Sequence, residues 1–254
     1  MKRVLTAAAL LPVGLYAILA APLAVFYLVL AAFATLCFWE FASIASAAGY
    51  PISRPIGILT GLLLVAAPGE GFLVILIAAL AAVVWGLQSS DLAGALPRAA
   101  ILSFGVLYVF GAWKCAALIH AYSPKWLLFA LGINWIGDIC AYYGGRAFGR
   151  HKLAPSISPG KTWEGAASSL VASALVGYLY IARFLPQVPA AHAILLAAAV
   201  NLAGQAGDLA ESAFKRGSSV KDSGSLLPGH GGFLDRFDSS LFTMPAVYLY
   251  LRMF

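Results

Sequence analysis

The acidic residues of this 254-residue chain are concentrated near its C-terminal end. Five of its ten carboxylates and four of its sixteen basic residues lie between positions 207 and 238. Asp208 and Glu211 are three residues apart, as are Asp235 and Asp238, and side chains at this spacing share one face of a helix. Two such pairs on two helix ends could converge on one cation. A donor set rich in carboxylate oxygens favours Mg²⁺ over Zn²⁺.

Basic residues and glycines lie between these acid pairs. The run Pro228-Gly229-His230-Gly231-Gly232 predicts a turn whose glycines allow positive φ and close approach of the backbone to a ligand. A plain linker is the alternative interpretation of this turn. The charged residues nearby would suit phosphate groups, and the whole stretch predicts a metal-dependent phosphate site. Besides the acid pairs, its charged members are Lys215, Arg216, Lys221, Asp222 and Arg236.

The composition is that of an integral membrane protein. The chain is 62% hydrophobic and only 10% charged, whereas soluble domains carry roughly 25% charged residues. Its net charge of +6 does not indicate nucleic acid as a partner, because the basic residues are scattered among apolar runs. Cys37, Cys115 and Cys140 lack the C-x-x-C spacing of a zinc site, and we expect them to pack in the membrane.

Long apolar runs predict an all-α fold with nine transmembrane helices, since about 20 residues cross the hydrocarbon core. Residues 1–100 would hold N-terminal helices, and residues 101–254 catalytic helices with cytoplasmic loops, as one structural unit. The start of the chain also fits a cleavable signal peptide, but the apolar run continues into the next span and favours a retained helix. The predicted spans are 4–20, 22–40, 54–68, 71–88, 98–120, 125–144, 163–184, 190–213 and 236–254.

The basic residues predict the orientation, because Lys and Arg collect on the cytoplasmic side of a membrane. With nine spans, twelve of the sixteen basic residues lie on the side of the N-terminus and three on the other side. The N-terminus is therefore predicted to be cytoplasmic. The polar loops at roughly 145–162 and 214–235 would face the cytoplasm together, where soluble nucleotides are available.

Several polar residues fall inside or at the ends of predicted spans, where they are costly and often functional. The stripe Asn201, Gln205, Asp208 and Glu211 at the end of the eighth span predicts a polar cavity. For Lys114, a functional role and a snorkelling lysine are equally compatible with its position. Glu40, which closes the second span, is interpreted as a residue of the membrane interface.

The loop before the seventh span contains Gly160-Lys161-Thr162, which imitates the end of a P-loop. It does not form one, because the motif requires glycine where Pro155 stands. Thr162 instead predicts the N-cap of a helix, and free N–H groups at such a start bind phosphate. His151 in the same loop is interpreted as a hydrogen-bonding or interface group.

Residues 212–238 resemble the signature of the phosphatidate cytidylyltransferase (CDP-diacylglycerol synthase) family. The signature reads S-x-x-K-R, four residues, K-D-x-G, three residues, P-G-H-G-G, two residues, D-R-x-D, and this sequence matches every fixed position. The resemblance continues upstream through the S-P-G-K-T-W-E-G run at 158–165 and the Gly144-Gly145-Arg146 segment with Asp138. It covers roughly the last 120 residues, whereas residues 1–100 resemble the family only as apolar spans.

The resemblance implies a Mg²⁺-dependent enzyme of phospholipid synthesis. Such an enzyme transfers the cytidylyl group of CTP to phosphatidic acid and gives CDP-diacylglycerol and pyrophosphate. A homodimer in the cytoplasmic (inner) membrane and a second cation such as K⁺ are implied as well. We expect Asp208 and Asp235 to be the principal metal ligands, because helix ends hold geometry better than loops do.

The other roles are assigned as follows. The metal set also includes Glu211, Asp222 and Asp238. The catalytic residues would be Asp208, Asp222, Asp235, Lys221, Arg236 and Asp238. The substrate-binding residues would be Asp138, Arg146, Ser158, Lys161, Lys215, Arg216, His230, Gly231 and Gly232.

Two other classes of protein share some of these features. A transporter or channel also places acids beside Gly- and Pro-rich breaks, but here the polar groups have no counterpart in the first half. A lipid kinase, or a cytidylyltransferase that acts on another phospholipid or on a polyprenyl phosphate, would use the same phosphate chemistry.

Overall fold

The computed structural model describes residues 12–69, 71–86, 91–227 and 231–254. This part of the chain is α-helical, apart from one short hairpin and irregular connections. The α-helices are α1 (Leu23–Ala47), α2 (Arg54–Ala66), α3 (Phe72–Gly86), α4 (Ala95–Gly105), α5 (Ala112–Tyr122), α6 (Pro124–Phe148), α7 (Trp163–Phe184), α8 (Ala190–Gly217) and α9 (Ser240–Met253). A π-helical turn (Val106–Gly111) joins α4 to α5, a 3₁₀ turn (Leu234–Arg236) precedes α9, and strands β1 (Lys152–Ala154) and β2 (Ser158–Thr162) pair antiparallel.

Five of the described helices are long and apolar enough to cross a membrane. They are Leu23–Ala47, Ala95–Tyr122, Pro124–Phe148, Trp163–Phe184 and Ala190–Gly217. Helices α2 and α3 are apolar but shorter. The predicted span at 4–20 lies partly outside the described residues, and its residues 12–19 are helical. The chain is therefore an integral membrane protein, as its composition predicts.

The prediction for the end of the eighth span is wrong by one helical turn. Helix α8 runs to Gly217, whereas the sequence predicted a loop from Lys215 onward. Lys215 and Arg216 therefore form the last turn of this helix. Cations are favourable there, because the C-terminal end of a helix carries a partial negative charge.

The described residues form two compact units. Unit 1 comprises residues up to Ala117 together with Phe214–Phe237. Its core contains aromatic side chains packed on the glycine face of α2. A Cβ atom at Gly57 would lie 2.1 Å from the ring of Phe38, and one at Gly61 would lie 2.0 Å from the ring of Phe110. Only glycine leaves room for these rings, so the Gly57-Gly61 pair sets how closely α2 packs.

Lys114 caps a helix in unit 1. Its ammonium group donates hydrogen bonds to the carbonyl oxygens of Val65, at 3.1 Å, and of Ala67. These carbonyls stand at the C-terminal end of α2, where backbone acceptors lack helical partners. The Lys114 side chain is buried. This contact gives Lys114 a structural role.

Replacing Lys114 by methionine is expected to lower the free energy of unfolding by about 1–3 kcal/mol, because buried carbonyls lose their donor. Thermal unfolding in one detergent would measure the change. Lys125→Met is the matched control, since the exposed Lys125 also donates to a carbonyl near a helix end, that of Phe184. Equal stability of the two variants would contradict the assigned role.

Unit 2 comprises Leu118–Ala213 and Asp238–Phe254. In it α6 packs along α7, and buried polar side chains join the helices. The amide of Asn201 donates to the hydroxyls of Ser169 at 2.9 Å and Ser173 at 3.0 Å. A Cβ at Gly137 would lie 2.6 Å from that amide nitrogen. Hydrogen bonds of this kind hold helices in register where water is absent.

Candidate functional site

A hairpin and a helix start in unit 2 position Lys161. Strand β2 ends at Thr162, whose hydroxyl accepts a hydrogen bond from the backbone N–H of Gly165 at 3.1 Å. Thr162 has extended backbone angles and is the N-cap of α7, which confirms the predicted helix start. Lys161 therefore stands on a strand immediately before a capped helix.

Glu164 fixes the other end of this hairpin. Its carboxylate accepts hydrogen bonds from the backbone N–H groups of Arg150 and His151. The imidazole Nδ1 of His151 also lies 2.6 Å from a carboxylate oxygen of Glu164. The start of the hairpin is thus tied to the first turn of α7. The hydrogen-bonding interpretation of His151 agrees with this contact.

A cavity of about 620 Å³ lies beside Lys161 in unit 2. Hairpin β1–β2 and helices α6, α7 and α8 all contribute residues to its wall. Carboxylates, cations, hydroxyls and an amide line it together, so it offers partners to both anions and cations. Of the residues predicted from the sequence, it brings together Asp138, Arg146, Ser158, Lys161 and Asp208.

Four polar lining residues were not among the predicted site residues: Tyr142, Thr162, Ser169 and Gln205. Gln205 belongs to the stripe that predicted a polar cavity, and that signal could have identified it. Its amide nitrogen donates to the side-chain oxygen of Asn201 at 2.7 Å and to the carbonyl of Ala166 at 3.3 Å. Both donor hydrogens are therefore engaged, and the side chain is held at the cavity wall.

The cavity contains an ion pair. The ammonium group of Lys161 lies 2.5 Å from a carboxylate oxygen of Asp208. About a quarter of the Lys161 side chain and under a third of the Asp208 side chain remain accessible. The second carboxylate oxygen of Asp208 accepts a weak hydrogen bond from Ser212 at 3.4 Å. A carboxylate and a cation thus face the same cavity, an arrangement that can bind a phosphate group together with its counter-ion.

Two further predicted metal ligands of unit 2, Glu211 and Asp238, lie close to Asp208 along the chain or in space. Glu211 is fully buried one turn beyond Asp208. Asp238 is half-buried, and a Cβ at Gly207 would lie 2.7 Å from its carbonyl oxygen. The backbone of Asp238 therefore packs on the residue that precedes Asp208.

Unit 1 contains Asp235, the other residue predicted to be a principal metal ligand. One of its oxygens lies 2.5 Å from the ammonium group of Lys215. The other accepts hydrogen bonds from the backbone N–H groups of Gly232 at 2.7 Å and Ser223 at 3.1 Å. Burial alone would raise the pKa of Asp235. The bond from Lys215, with those from Gly232 and Ser223, outweighs burial and lowers that pKa below its ordinary value.

The loop of residues 223–234, here called the signature loop, lies between Asp222 and Asp235 and brings these two acids close together. A Cβ at Gly231 would lie 2.8 Å from a carboxylate oxygen of Asp235 and 3.4 Å from the Cγ of Asp222. Gly231 has a φ of +78°, as the predicted turn requires. His230 lies outside the described residues. The exposed predicted residues of this unit are Arg216, Lys221, Asp222 and Arg236.

The predicted metal ligands supply the chemistry that Mg²⁺ prefers. All are carboxylates, and the cavity around Asp208 adds hydroxyl and amide groups. Within the described part of each unit, no three His, Cys, Asp or Glu side chains come close enough to hold a metal by themselves. Mg²⁺ commonly keeps several waters and takes further oxygens from substrate phosphates. Few protein ligands are therefore sufficient for this ion, and the donor set fits it.

Comparison with known proteins gives a consistent result. The model of the cytidylyltransferase family matches residues 1–254. A phosphatidate cytidylyltransferase of Bacillus subtilis is 42% identical over 137 residues, which are 54% of this chain and 51% of the relative. One from Staphylococcus saprophyticus is 37% identical over 161 residues, or 63% and 59% of the two chains. The matched segments thus span about half to three fifths of these relatives.

Proposed function

The chain belongs to the cytidylyltransferase family, and we propose that it transfers the cytidylyl group of CTP to phosphatidic acid. The products are CDP-diacylglycerol and pyrophosphate. The proposal rests mainly on the cavity of unit 2. Lys161, Arg146 and Asp208 line this cavity, and its wall includes residues of helices that are long and apolar enough to cross a membrane. A site there can accept a charged nucleotide while the acyl chains of a lipid stay in the membrane.

In the proposed reaction, a phosphate oxygen of the lipid attacks the α-phosphorus of CTP. The new P–O bond forms in line with the bond that breaks, and pyrophosphate leaves with the electron pair of that bond. A phosphate monoester dianion is already a competent nucleophile, so the chain does not have to remove a proton. The residues act by positioning two polyanions and by neutralising their charge.

The side chains divide this work by charge. Lys161 and Arg146 would bind phosphate oxygens, because a lysine and an arginine supply several N–H donors to an anion. Asp208 and Asp235 are the proposed principal ligands of Mg²⁺, with Glu211, Asp222 and Asp238 as further ligands or as acceptors that orient them. When bound, Mg²⁺ supplies charge neutralisation on the phosphate groups. Lys215, Arg216, Lys221, Arg236 and His230 are proposed to contact phosphates as well.

Several finer features belong to the same proposal. We propose nine transmembrane helices, with the N-terminus and the site loops on the cytoplasmic face of the inner membrane. The catalytic side chains would come from residues 101–254. A homodimer and a second cation such as K⁺ complete the proposed assembly, and both follow from the family resemblance.

Replacing Lys161 by methionine is expected to raise the KM for CTP roughly tenfold, because one charge-assisted hydrogen bond to phosphate is lost. Steady-state kinetics of liponucleotide formation would measure it. Lys152→Met is the matched control, since Lys152 is an exposed lysine of the same hairpin that does not line the cavity. An equal KM in the two variants would remove Lys161 from the site.

The acceptor can be identified with CTP labelled at the α-phosphorus. Purified protein with Mg²⁺ would be offered phosphatidic acid, diacylglycerol or a polyprenyl phosphate in separate reactions. Labelled lipid is expected with phosphatidic acid alone. Label on the polyprenyl phosphate alone would assign another acceptor. Phosphorylation of diacylglycerol, followed with γ-labelled CTP, would assign a lipid kinase.

A further inference from the structure

Glu40 is a buried carboxylate in the half of the chain where the sequence shows no site. It lies in α1 within unit 1 and is only 2% exposed. The helix continues to Ala47, so Glu40 does not close it as the sequence predicted, and its side chain is enclosed by protein. A buried charged group is costly unless hydrogen bonds compensate it, so the partners of this carboxylate indicate what it does.

In the described part of the chain, the two residues that donate hydrogen bonds to Glu40 belong to the signature loop. Its Oε2 atom accepts a hydrogen bond from the hydroxyl of Ser223 at 2.7 Å and one from the backbone N–H of Leu234 at 2.8 Å. Ser223 stands where the loop begins and Leu234 where it ends. One carboxylate oxygen thus holds together two points of the loop that are eleven residues apart.

Two glycines of the loop make room for this carboxylate. A Cβ at Gly224 would lie 2.3 Å from Oε1 of Glu40. A Cβ at Gly232 would lie 2.3 Å from Oε2 and 1.9 Å from the Ser223 hydroxyl. Real Cβ atoms do not approach so closely. Neither glycine has positive φ, so their small size, which admits Glu40, explains them better than backbone freedom does.

The contacts continue from Glu40 to Asp235. The hydroxyl of Ser223, which donates to Glu40, accepts a hydrogen bond from the backbone N–H of Asp235 at 3.3 Å. The carboxylate of Asp235 in turn accepts from the backbone N–H of Ser223 and pairs with Lys215. A displacement of Ser223 would therefore move the carboxylate of Asp235 and its lysine.

We propose that Glu40 is a positioning residue of the transfer reaction. It fixes the start and the end of the signature loop and so sets the place of Asp235 and Lys215. Its own carboxylate does not contact substrate. The functional part of this inference rests on the proposed cytidylyl transfer, whereas its structural part, the dependence of the loop on Glu40, does not.

Three substitutions of Glu40 separate the possibilities. Glu40→Ala removes the acceptor, and Glu40→Asp withdraws it by one methylene; both are expected to lower kcat about 100-fold, as a displacement of roughly 1 Å in a site can do. Glu40→Gln keeps an acceptor oxygen at the same reach, and its kcat is expected to stay within about tenfold of the parent. The KM for CTP should rise less in all three than in Lys161→Met, because Lys161 and the cavity of unit 2 are untouched.

A second measurement does not depend on activity. Hydrogen exchange of the full-length protein in nanodiscs, read by mass spectrometry, would report the amides of Ser223, Leu234 and Asp235. Faster exchange of peptides covering 223–237 is expected in Glu40→Ala and Ser223→Ala, with α7 unchanged. The double variant should exchange and turn over no worse than Glu40→Ala alone, because both changes break one chain of contacts.

Thr60→Val is the matched control. Thr60 is a buried polar residue of unit 1 whose hydroxyl donates to carbonyls of its own helix, those of Ile56 and Gly57. Loss of the Thr60 hydroxyl should leave both the hydrogen exchange of the loop and kcat unchanged. Unaltered loop exchange in Glu40→Ala would overturn the inference, and so would equal kcat losses in Glu40→Gln and Glu40→Ala. Absence of turnover in the parent protein, with fast loop exchange in Glu40→Ala, would instead overturn the proposed function and leave the loop assignment standing.

Discussion

Replacing Asp208 by asparagine is expected to lower the rate of cytidylyl transfer by about 100- to 1,000-fold. Asparagine has the same shape and can still accept the hydrogen bond from Ser212, but it lacks the charge that pairs with Lys161. Lys161 would then lack its carboxylate partner, and the cavity would lack a proposed ligand of Mg²⁺. Turnover of labelled CTP into liponucleotide, at saturating Mg²⁺ and lipid, would measure the loss.

Asp91→Asn is the control for this variant. Asp91 also pairs with a cation, Arg98 at 3.1 Å, but it belongs to unit 1 and does not line the cavity. The control should turn over at the parental rate. Unfolding temperatures close to that of the parent in both variants would show that the loss is chemical. Near-parental turnover of Asp208→Asn would remove Asp208 from the proposed metal site.

Asp235→Asn is expected to cause a loss of similar size for a different reason. The side-chain oxygen of asparagine can still accept from the backbone N–H groups of Gly232 and Ser223, so the loop should keep its conformation. The charge opposite Lys215 is lost, and with it a proposed ligand of Mg²⁺. Turnover should fall while hydrogen exchange of the loop stays parental.

Turnover and loop exchange, measured together, distinguish a group that acts in the reaction from a group that only positions other residues. Glu40→Ala should change both turnover and loop exchange, and Asp235→Asn turnover alone. Binding of Mn²⁺ to the protein without nucleotide, followed by electron paramagnetic resonance, gives a further measure. It should weaken in Asp208→Asn and in Asp235→Asn. Parental Mn²⁺ binding and turnover in Asp235→Asn would exclude Asp235 as a ligand.

The sequence predicted those parts of the fold that depend on local pattern. Helix α7 begins and ends at the predicted residues, 163 and 184, because Thr162 is a strong N-cap and the largely apolar run that follows contains no proline. The sequence predicted only that Lys161 and Asp208 belong to the same polar region, and not that they form an ion pair. The distance between them depends on how the hairpin and α8 pack.

The roles that the sequence did not assign correctly, or left open, depend on distant partners. Glu40 and Ser223 are 183 positions apart, and no pattern near Glu40 reveals the loop that buries it. Lys114 caps a helix that ends 48 residues earlier. The hairpin β1–β2 is only three and five residues per strand, too short for an alternating pattern to indicate. In each case tertiary contact, which a single sequence does not encode locally, decides the role.

In the proposed reaction this chain joins the α-phosphorus of CTP to the phosphate of phosphatidic acid. Phosphorus nuclear magnetic resonance of one reaction mixture tests it most directly, because every phosphorus-containing product is seen at once. We expect the pyrophosphate signal and the paired signals of the liponucleotide to grow in equal amounts as CTP and phosphatidic acid disappear. Growth of CDP with inorganic phosphate, or of CDP with a newly phosphorylated lipid, and no liponucleotide signal, would contradict it.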